Sequence, residues 1–248
     1  IWATGKPAIG GWCSMPGAFS AELMASMGWD AITIDTQHGL IGYSDMLAML
    51  QAVSTTAAAP LVRVSWNQPG EIMRALDAGA YGVICPMIND AAECAAFVQA
   101  CRYPPDGFRS SGPTRAIVYG GPDYHAKANG EMLAFAMIET AAGLANVEAI
   151  VATPGLDGVY IGPSDLSLSL GGPPGQDQDA PVLMAAFDTI LAACRAAGVR
   201  TAVHTGSVAY SQQMLARGFD LVTVGSDTRF LMSGRGEVAE MRAWVERR

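Results

Sequence analysis

The chain has 248 residues, of which 50% are hydrophobic and 15% are charged, and its formal net charge is −8 at pH 7. This length suits a single barrel domain with one large core, so we expect residues 1–248 to form one domain. The excess of acidic residues disfavours nucleic acid and anionic membranes as partners. No uninterrupted apolar run reaches membrane-spanning length, which also argues against a membrane protein.

The cysteines and the first residues bear on the cellular compartment. The five cysteines are odd in number, none of them stands in a Cys-x-x-Cys spacing, and a disulfide framework or a thiolate zinc site is not expected. The first seven residues show no charged region followed by an apolar one, as a secretion leader would. These features predict a protein of the reducing cytoplasm.

Eight short apolar runs alternate with segments of helical spacing along the chain. Strands that are apolar on both faces and separated by helices indicate parallel pairing, and eight such units predict a closed (β/α)8 barrel of the α/β class. An open doubly wound sheet is the alternative, but the chain has no Gly-x-Gly-x-x-Gly after its first strand and no P-loop motif. The predicted strands are residues 8–11, 31–35, 61–64, 82–85, 133–138, 158–161, 201–204 and 221–225.

Polar residues follow most of these strands, at the barrel end where enzymes of this architecture react. A histidine such as His38 could be no more than a hydrogen-bonded loop residue. Arg63 lies within an apolar strand and needs an anionic partner, either a ligand or a structural salt bridge to Asp35 or Asp77. The other candidates at strand ends are Glu139, Ser164, Asp165, His204, Thr205, Ser226 and Asp227.

Two acids end neighbouring predicted strands. Asp165 follows the Gly162-Pro163 turn, where it could simply cap a helix, but Glu139 ends the preceding strand in the same way. Two such carboxylates repel unless a positive group lies between them. Oxygen ligands without cysteine or paired histidine suit Mg²⁺, Mn²⁺ or Co²⁺. The only lysines, Lys6 and Lys127, lie outside the predicted strands, so Schiff-base catalysis is not expected.

Five ordered motifs resemble the metal-dependent pyruvate aldolases typified by 4-hydroxy-2-oxoheptanedioate aldolase and 2-dehydro-3-deoxyglucarate aldolase. The resemblance covers nearly the whole chain and implies a (β/α)8 barrel of the phosphoenolpyruvate/pyruvate-binding type. It also implies a homohexamer in which the C-terminal helix, predicted within residues 236–248, is exchanged between subunits. The motifs are Asp35-x-x-His38-Gly39, Pro60-x-Val-Arg63-Val-Ser-Trp66-Asn, Pro86-Met87, Ile138-Glu139 and Gly162-Pro163-Ser164-Asp165-Leu166.

The same resemblance implies a substrate site built around a metal. Glu139 and Asp165 would hold the divalent ion, Mg²⁺, Mn²⁺ or Co²⁺, which pyruvate chelates through its carboxylate and keto oxygens. Backbone N–H groups at Ser164 and Asp165 would bind the pyruvate carboxylate. The partners implied are small molecules, a 2-oxo acid and an aldehyde.

Catalytic roles follow by the same match. His38 would be the base, Arg63 would stabilise the enolate, and Asp77 would raise the basicity of the histidine, unless it is only a helix-surface carboxylate. Two departures from the family pattern are Gln37, where Glu is common, and Met137, where a substrate-contacting Gln is common. The second makes the donor side less polar and leaves hydroxypyruvate open as an alternative to pyruvate.

Two loops and two other functions complete the expectations. The connection at 102–130, with Arg109 and Arg115, is predicted to be a lid, binding segment or interface arm. The acceptor contacts are expected in this segment or in a neighbouring subunit. The Gly- and Pro-rich segment 171–181 could form a second flexible rim, but the favoured interpretation is a plain linker. The alternatives to an aldolase are an acyl-CoA carbon–carbon lyase of the citrate lyase β-subunit type and a non-catalytic binder of 2-oxo acids.

Overall fold

Eight parallel strands close into a barrel in which each strand pairs with its neighbours in chain order. The computed structural model describes residues Ile1–Arg248. The first strand closes the barrel by pairing with both the second and the eighth, with a register shift between Gly10 and Gly11. The strands are β1 (Ala8–Cys13), β2 (Ala31–Asp35), β3 (Ala59–Arg63), β4 (Gly82–Cys85), β5 (Leu133–Ile138), β6 (Gly158–Ile161), β7 (Arg200–His204) and β8 (Leu221–Ser226).

Helices connect the strands and surround the barrel, after a short 3₁₀ turn at Trp2–Thr4. None of the helices is both long and apolar enough to cross a membrane. They are α1 (Ala18–Ala25), α2 (Tyr43–Val53), α3 (Pro69–Asp77), α4 (Ala91–Cys101), α5 (Thr114–Gly120), α6 (Tyr124–Glu131), α7 (Ala141–Ala145), α8 (Val147–Val151), α9 (Pro163–Ser169), α10 (Pro181–Ala197), α11 (Val208–Arg217), α12 (Asp227–Ser233) and α13 (Arg235–Glu246).

The apolar residues form two separate clusters, as the barrel geometry requires. The larger cluster lies between the strands and the surrounding helices. The smaller one, of eight residues including Trp12, Phe135, Met137 and Tyr160, fills the barrel interior. Packing inside the barrel closes its centre, so a ligand can enter only at the ends of the strands.

The predicted barrel and its eight strands are confirmed, with small differences at the boundaries. β3 begins at Ala59 and ends at Arg63, whereas the prediction ran from 61 to 64. The connection at 102–130 is not an irregular loop, because it contains α5 and most of α6. The predicted C-terminal helix is α13, which has no buried residue within the chain.

Candidate active site

A cavity of about 320 Å³ opens at the carboxyl ends of the strands. His38, Arg63, Ser164 and Asp165, all predicted from the sequence as site residues, line it. Glu139 is not among the lining residues, and only 2% of it is exposed. The fold therefore brings residues from β2, β3 and the start of α9 to one place, with the Glu139 carboxylate set behind the cavity wall.

Asp35 fixes both Arg63 and the loop that carries His38. Arg63 donates from Nε to Asp35 Oδ1 at 2.8 Å and from Nη2 to Oδ2 at 2.6 Å. The backbone N–H groups of Gln37 and His38 donate to Oδ1 at 3.0 and 3.3 Å. Burial favours the neutral acid, but the hydrogen bonds and charge of Arg63 outweigh it and hold the pKa of Asp35 below its usual value. Arg63 thus has the structural salt bridge considered above and also lines the cavity.

Glu139 is a buried acid with an unusual affinity for a proton. Its Oε1 accepts a hydrogen bond of 2.8 Å from the backbone N–H of Met87. Met87 has a positive φ of 58°, a conformation that costs a non-glycine residue energy and that turns this N–H toward the acid. Burial raises the pKa of Glu139 to about 7; the Met87 hydrogen bond opposes this rise, whereas the charge of Asp165 adds to it.

The surroundings of Glu139 and Asp165 fit a divalent cation. Gly162 allows Glu139 to lie close to the start of α9, because a Cβ at that position would lie 2.5 Å from Glu139 Oε2 and 2.7 Å from Met137 Cε. No third Asp, Glu, His or Cys completes a cluster with them. Two carboxylates leave further coordination positions of a hard cation free for water and a chelating substrate, as is usual for Mg²⁺. The oxygen-only donor set does not suit a structural zinc site.

The start of α9 supplies the groups expected to bind an anion. Gly162 is its N-cap residue and Pro163 occupies its first turn. The Leu166 N–H reaches back to the Gly162 carbonyl at 3.0 Å, whereas the N–H groups of Ser164 and Asp165 find no backbone acceptor. Free N–H groups at a helix start favour a carboxylate ligand.

Within one chain, Asp77 does not lie near His38. It ends α3, and therefore lies at the barrel end where β4 begins, opposite to the end at which His38 follows β2. Its Oδ1 accepts a hydrogen bond of 2.7 Å from Arg109 Nη2. Arg115 donates to the Ala78 carbonyl at 2.6 Å, at the same end. No residue of 102–130 lines the cavity, so the expected acceptor contacts from this segment are absent from the chain's own site.

Sequence reasoning did not single out four residues that line the cavity, Trp12, Ser14, Gln176 and Thr228. Trp12 lies near the end of β1, and Gln176 lies in the segment interpreted as a plain linker. That interpretation was wrong, because Gln176 reaches the cavity and its neighbour Asp177 accepts a hydrogen bond of 2.6 Å from the Gly206 N–H. His204 was recognised as a strand-end residue but received no role. Its position at the end of β7 was the available signal, whereas nothing in the sequence marked Gln176.

A buried acid, an arginine and a histidine gathered at the carboxyl end of a closed (β/α)8 barrel define an enzyme active site. The chain belongs to the HpcH/HpaI aldolase/citrate lyase family, whose model matches residues 9–233. This confirms the family resemblance and identifies the protein as a carbon–carbon lyase.

Curated relatives and a solved structure resemble the chain over almost its whole length. A hydroxypyruvate/pyruvate aldolase of Rhizorhabdus wittichii is 40% identical, over 98% of this chain and 97% of the relative. A 4-hydroxy-2-oxo-heptane-1,7-dioate aldolase of Salmonella newport is 37% identical, over 98% and 93%. A crystal structure of a family protein from Burkholderia cenocepacia superposes with a TM-score of 0.88 at 34% identity, over 96% and 95%.

Proposed function

We propose that this protein catalyses the reversible, divalent-metal-dependent aldol addition and cleavage between pyruvate or hydroxypyruvate and an aldehyde. The observation that carries the proposal is the buried Glu139 carboxylate behind the wall of a cavity that His38, Arg63 and Asp165 line. The charges of Asp165 and Arg63 both act on this carboxylate. The names of the two curated relatives support this choice of reaction and donors.

Glu139 and Asp165 would hold the cation, Mg²⁺, Mn²⁺ or Co²⁺. When bound, it would supply the Lewis acidity that stabilises negative charge on the keto oxygen. The free N–H groups of Ser164 and Asp165 bind the carboxylate of the 2-oxo acid, which fixes the direction of the donor. Arg63, held rigid by Asp35, presents positive charge where the enolate forms.

His38 acts as the base in the cleavage direction. It takes the proton from the C4 hydroxyl of a 4-hydroxy-2-oxo acid, the C3–C4 bond breaks, and C4 leaves as the aldehyde carbonyl. The electron pair of the broken bond remains in the enolate, which takes a proton from water at C3 and departs as the 2-oxo acid, and His38 releases its proton to water. In the addition direction the same residue returns the proton to the new hydroxyl.

The proposal includes assembly of this chain into an oligomer. Asp77 could raise the basicity of His38 only if one subunit brings it to the site of another, since they lie at opposite barrel ends. The exposed apolar side chains of α13, Val238, Met241, Trp244 and Val245, are consistent with a helix that packs on another subunit in a hexamer. The five buried thiols, none of them paired, are consistent with the cytoplasm.

The test is metal removal followed by restoration. Enzyme stripped of metal by a chelator should release no pyruvate from a 4-hydroxy-2-oxo acid. Addition of Mn²⁺, Co²⁺ or Mg²⁺ should restore pyruvate release, and no coenzyme A should be needed. Borohydride with pyruvate should trap no adduct at Lys6 or Lys127. His38→Ala should lower kcat by at least about a hundredfold, whereas His125→Ala, outside the cavity, should not. Activity that requires an acyl-CoA would instead support the citrate lyase type of reaction.

A further inference from the structure

One half of the cavity has no role in the donor chemistry. It is lined by Ser14 directly after β1, Gln176 in the segment before α10, His204 and Ser226 at the ends of β7 and β8, and Thr228 at the start of α12. None of these side chains is an acid, a lysine or an arginine. The acidic and basic residues of the cavity wall come from β2, β3 and the start of α9. We name these five residues the neutral arc.

His204 is the anchor of the neutral arc. Its Nδ1 lies 3.3 Å from the hydroxyl of Tyr160, which lies 2.7 Å from Thr223 Oγ1 inside the barrel. The Trp12 ring meets the imidazole edge to face, with ring centroids 4.8 Å apart. These contacts fix the ring and leave Nε2 without a hydrogen-bond partner in the chain. A rigid imidazole with one free nitrogen is suited to a directional hydrogen bond.

We propose that the neutral arc binds the aldehyde acceptor through His204 Nε2, and that the preferred acceptor is a short, uncharged, hydroxylated aldehyde. This inference rests on the proposed function and specifies the substrate class that the sequence left open.

Charge argues against an acceptor with a carboxylate or phosphate. Burial and, to a smaller extent, the positive charge of Arg63 lower the pKa of His204 to about 4, against the opposing charges of Asp35 and Asp177. The imidazole is therefore neutral near pH 7. Arg63 itself is paired with Asp35. The Asp177 carboxylate lies beside this half, bonded to the Gly206 N–H. An anionic tail would lose its hydration without gaining a cation, which is costly.

Hydrogen bonding argues for a hydroxyl. An aldehyde with a plain alkyl tail would leave His204 Nε2 and the Ser14 hydroxyl without partners when water is excluded. The hydroxyls of Ser226 and Thr228 lie 3.2 Å apart and can bond to each other. A hydroxylated tail can donate to or accept from His204 Nε2 and the Ser14 hydroxyl, whichever tautomer His204 adopts. A site built from such groups discriminates strongly against analogues that lack the hydroxyl.

The experiment compares three acceptors with pyruvate as donor and Mn²⁺ present: glyceraldehyde, propionaldehyde and succinic semialdehyde. We expect kcat/KM to be at least about tenfold higher for glyceraldehyde than for either of the others. His204→Leu should lower the ratio of glyceraldehyde to propionaldehyde about tenfold, and His204→Gln, which keeps a hydrogen-bonding group, should retain part of it. The matched control His125→Leu should not change the ratio.

Deuterium exchange at C3 of pyruvate in D₂O reports the donor half alone, because it needs no acceptor. Absence of exchange with metal in the wild type would overturn the proposed function. Exchange together with a preference for succinic semialdehyde would overturn the inference while leaving the aldolase intact. An unchanged acceptor ratio in both His204 variants, or loss of exchange in both, would place His204 outside the acceptor site and equally overturn it.

Discussion

The Asp35 carboxylate accepts two parallel hydrogen bonds of 2.8 and 2.6 Å from the Arg63 guanidinium at the carboxyl end of the barrel. The two residues are neighbours in the sheet register, Asp35 on β2 opposite Arg63 on β3. The Arg63 side chain is 9% exposed and that of Asp35 is 2% exposed, so neither charge is well hydrated. The pair therefore sets the position of the arginine before any substrate arrives.

Removal of one partner of this pair should cost both stability and activity. We expect Asp35→Asn to lower the free energy of unfolding by about 3 kcal/mol, because it leaves a buried guanidinium without its counter-charge. It should also lower kcat/KM at least about tenfold, since Arg63 is no longer fixed. Urea unfolding and steady-state kinetics measure the two effects. Asp188→Asn, which breaks an exposed pair with Arg217, should cost under about 1 kcal/mol; equal losses in both variants would contradict the account.

Loss of Glu139 should abolish metal binding without unfolding the chain. Glu139→Gln removes one of two oxygen anions, and the neutral amide also relieves the burial of a charge, so we expect stability without metal to be kept or raised. Free Mn²⁺ measured by electron paramagnetic resonance gives the binding directly. The Tm increase on Mn²⁺ addition should disappear in this variant and persist in Glu148→Gln. Unaltered Mn²⁺ affinity would remove Glu139 from the metal site.

The absence of a side chain at Gly162 should be essential for metal binding. In Gly162→Ala the new methyl would lie 2.5 Å from Glu139 Oε2 and 2.7 Å from Met137 Cε, so the acid must move. We expect at least about a tenfold weaker Mn²⁺ affinity, measured by isothermal titration calorimetry. Gly70→Ala is the matched control, because a Cβ there meets nothing within 4 Å. Full metal affinity in Gly162→Ala would show that the pair tolerates displacement.

His204 should make stability depend on pH below neutrality. Its pKa is lowered from 6.5 to about 4 in the folded protein, chiefly by burial. Between these values the unfolded chain binds a proton and the folded protein does not, so the free energy of unfolding falls as pH falls. The contribution is at most about 3 kcal/mol.

The measurement is urea unfolding of the wild type and His204→Gln at intervals from pH 7 to pH 4. The wild type should lose more stability than the variant over this range, and the difference should level off below pH 4. Parallel curves would show that His204 is not held neutral by the fold.

The barrel was predictable because its signals are local. Each apolar run ends at a turn, and the order of polar residues at those ends follows from the alternation of strands and helices. Positions 35, 38, 63, 139 and 165 could be placed at the carboxyl ends of the strands in this way. Helices α5 and α6 were missed because Gly112-Pro113 and Gly120-Gly121-Pro122 suggest a loop, although tertiary contacts such as the Arg115 bond to the Ala78 carbonyl stabilise helix there.

The remaining features depend on contacts between residues that are far apart in the chain, and such contacts leave no pattern in the sequence. The positive φ of Met87 and its bond to Glu139 join residues 52 positions apart. Gln176 reaches the cavity because Asp177 binds the loop after β7, which no spacing rule predicts. The placement of Asp77 follows from the direction of α3, which could have been inferred once the barrel was assumed.

Trp12 lies between the two halves of the site, with its ring centroid 4.8 Å from the Arg63 guanidinium and 4.8 Å from the His204 ring centroid. Among the five tryptophans it is the one that lines the cavity, and it is 3% exposed. Its indole N–H also points at Asp35 Oδ2, 3.3 Å away. A change in the fluorescence emission of Trp12 therefore reports ligand binding at the junction of the donor and acceptor halves. Binding to each half can be followed in this way in real time and without a label.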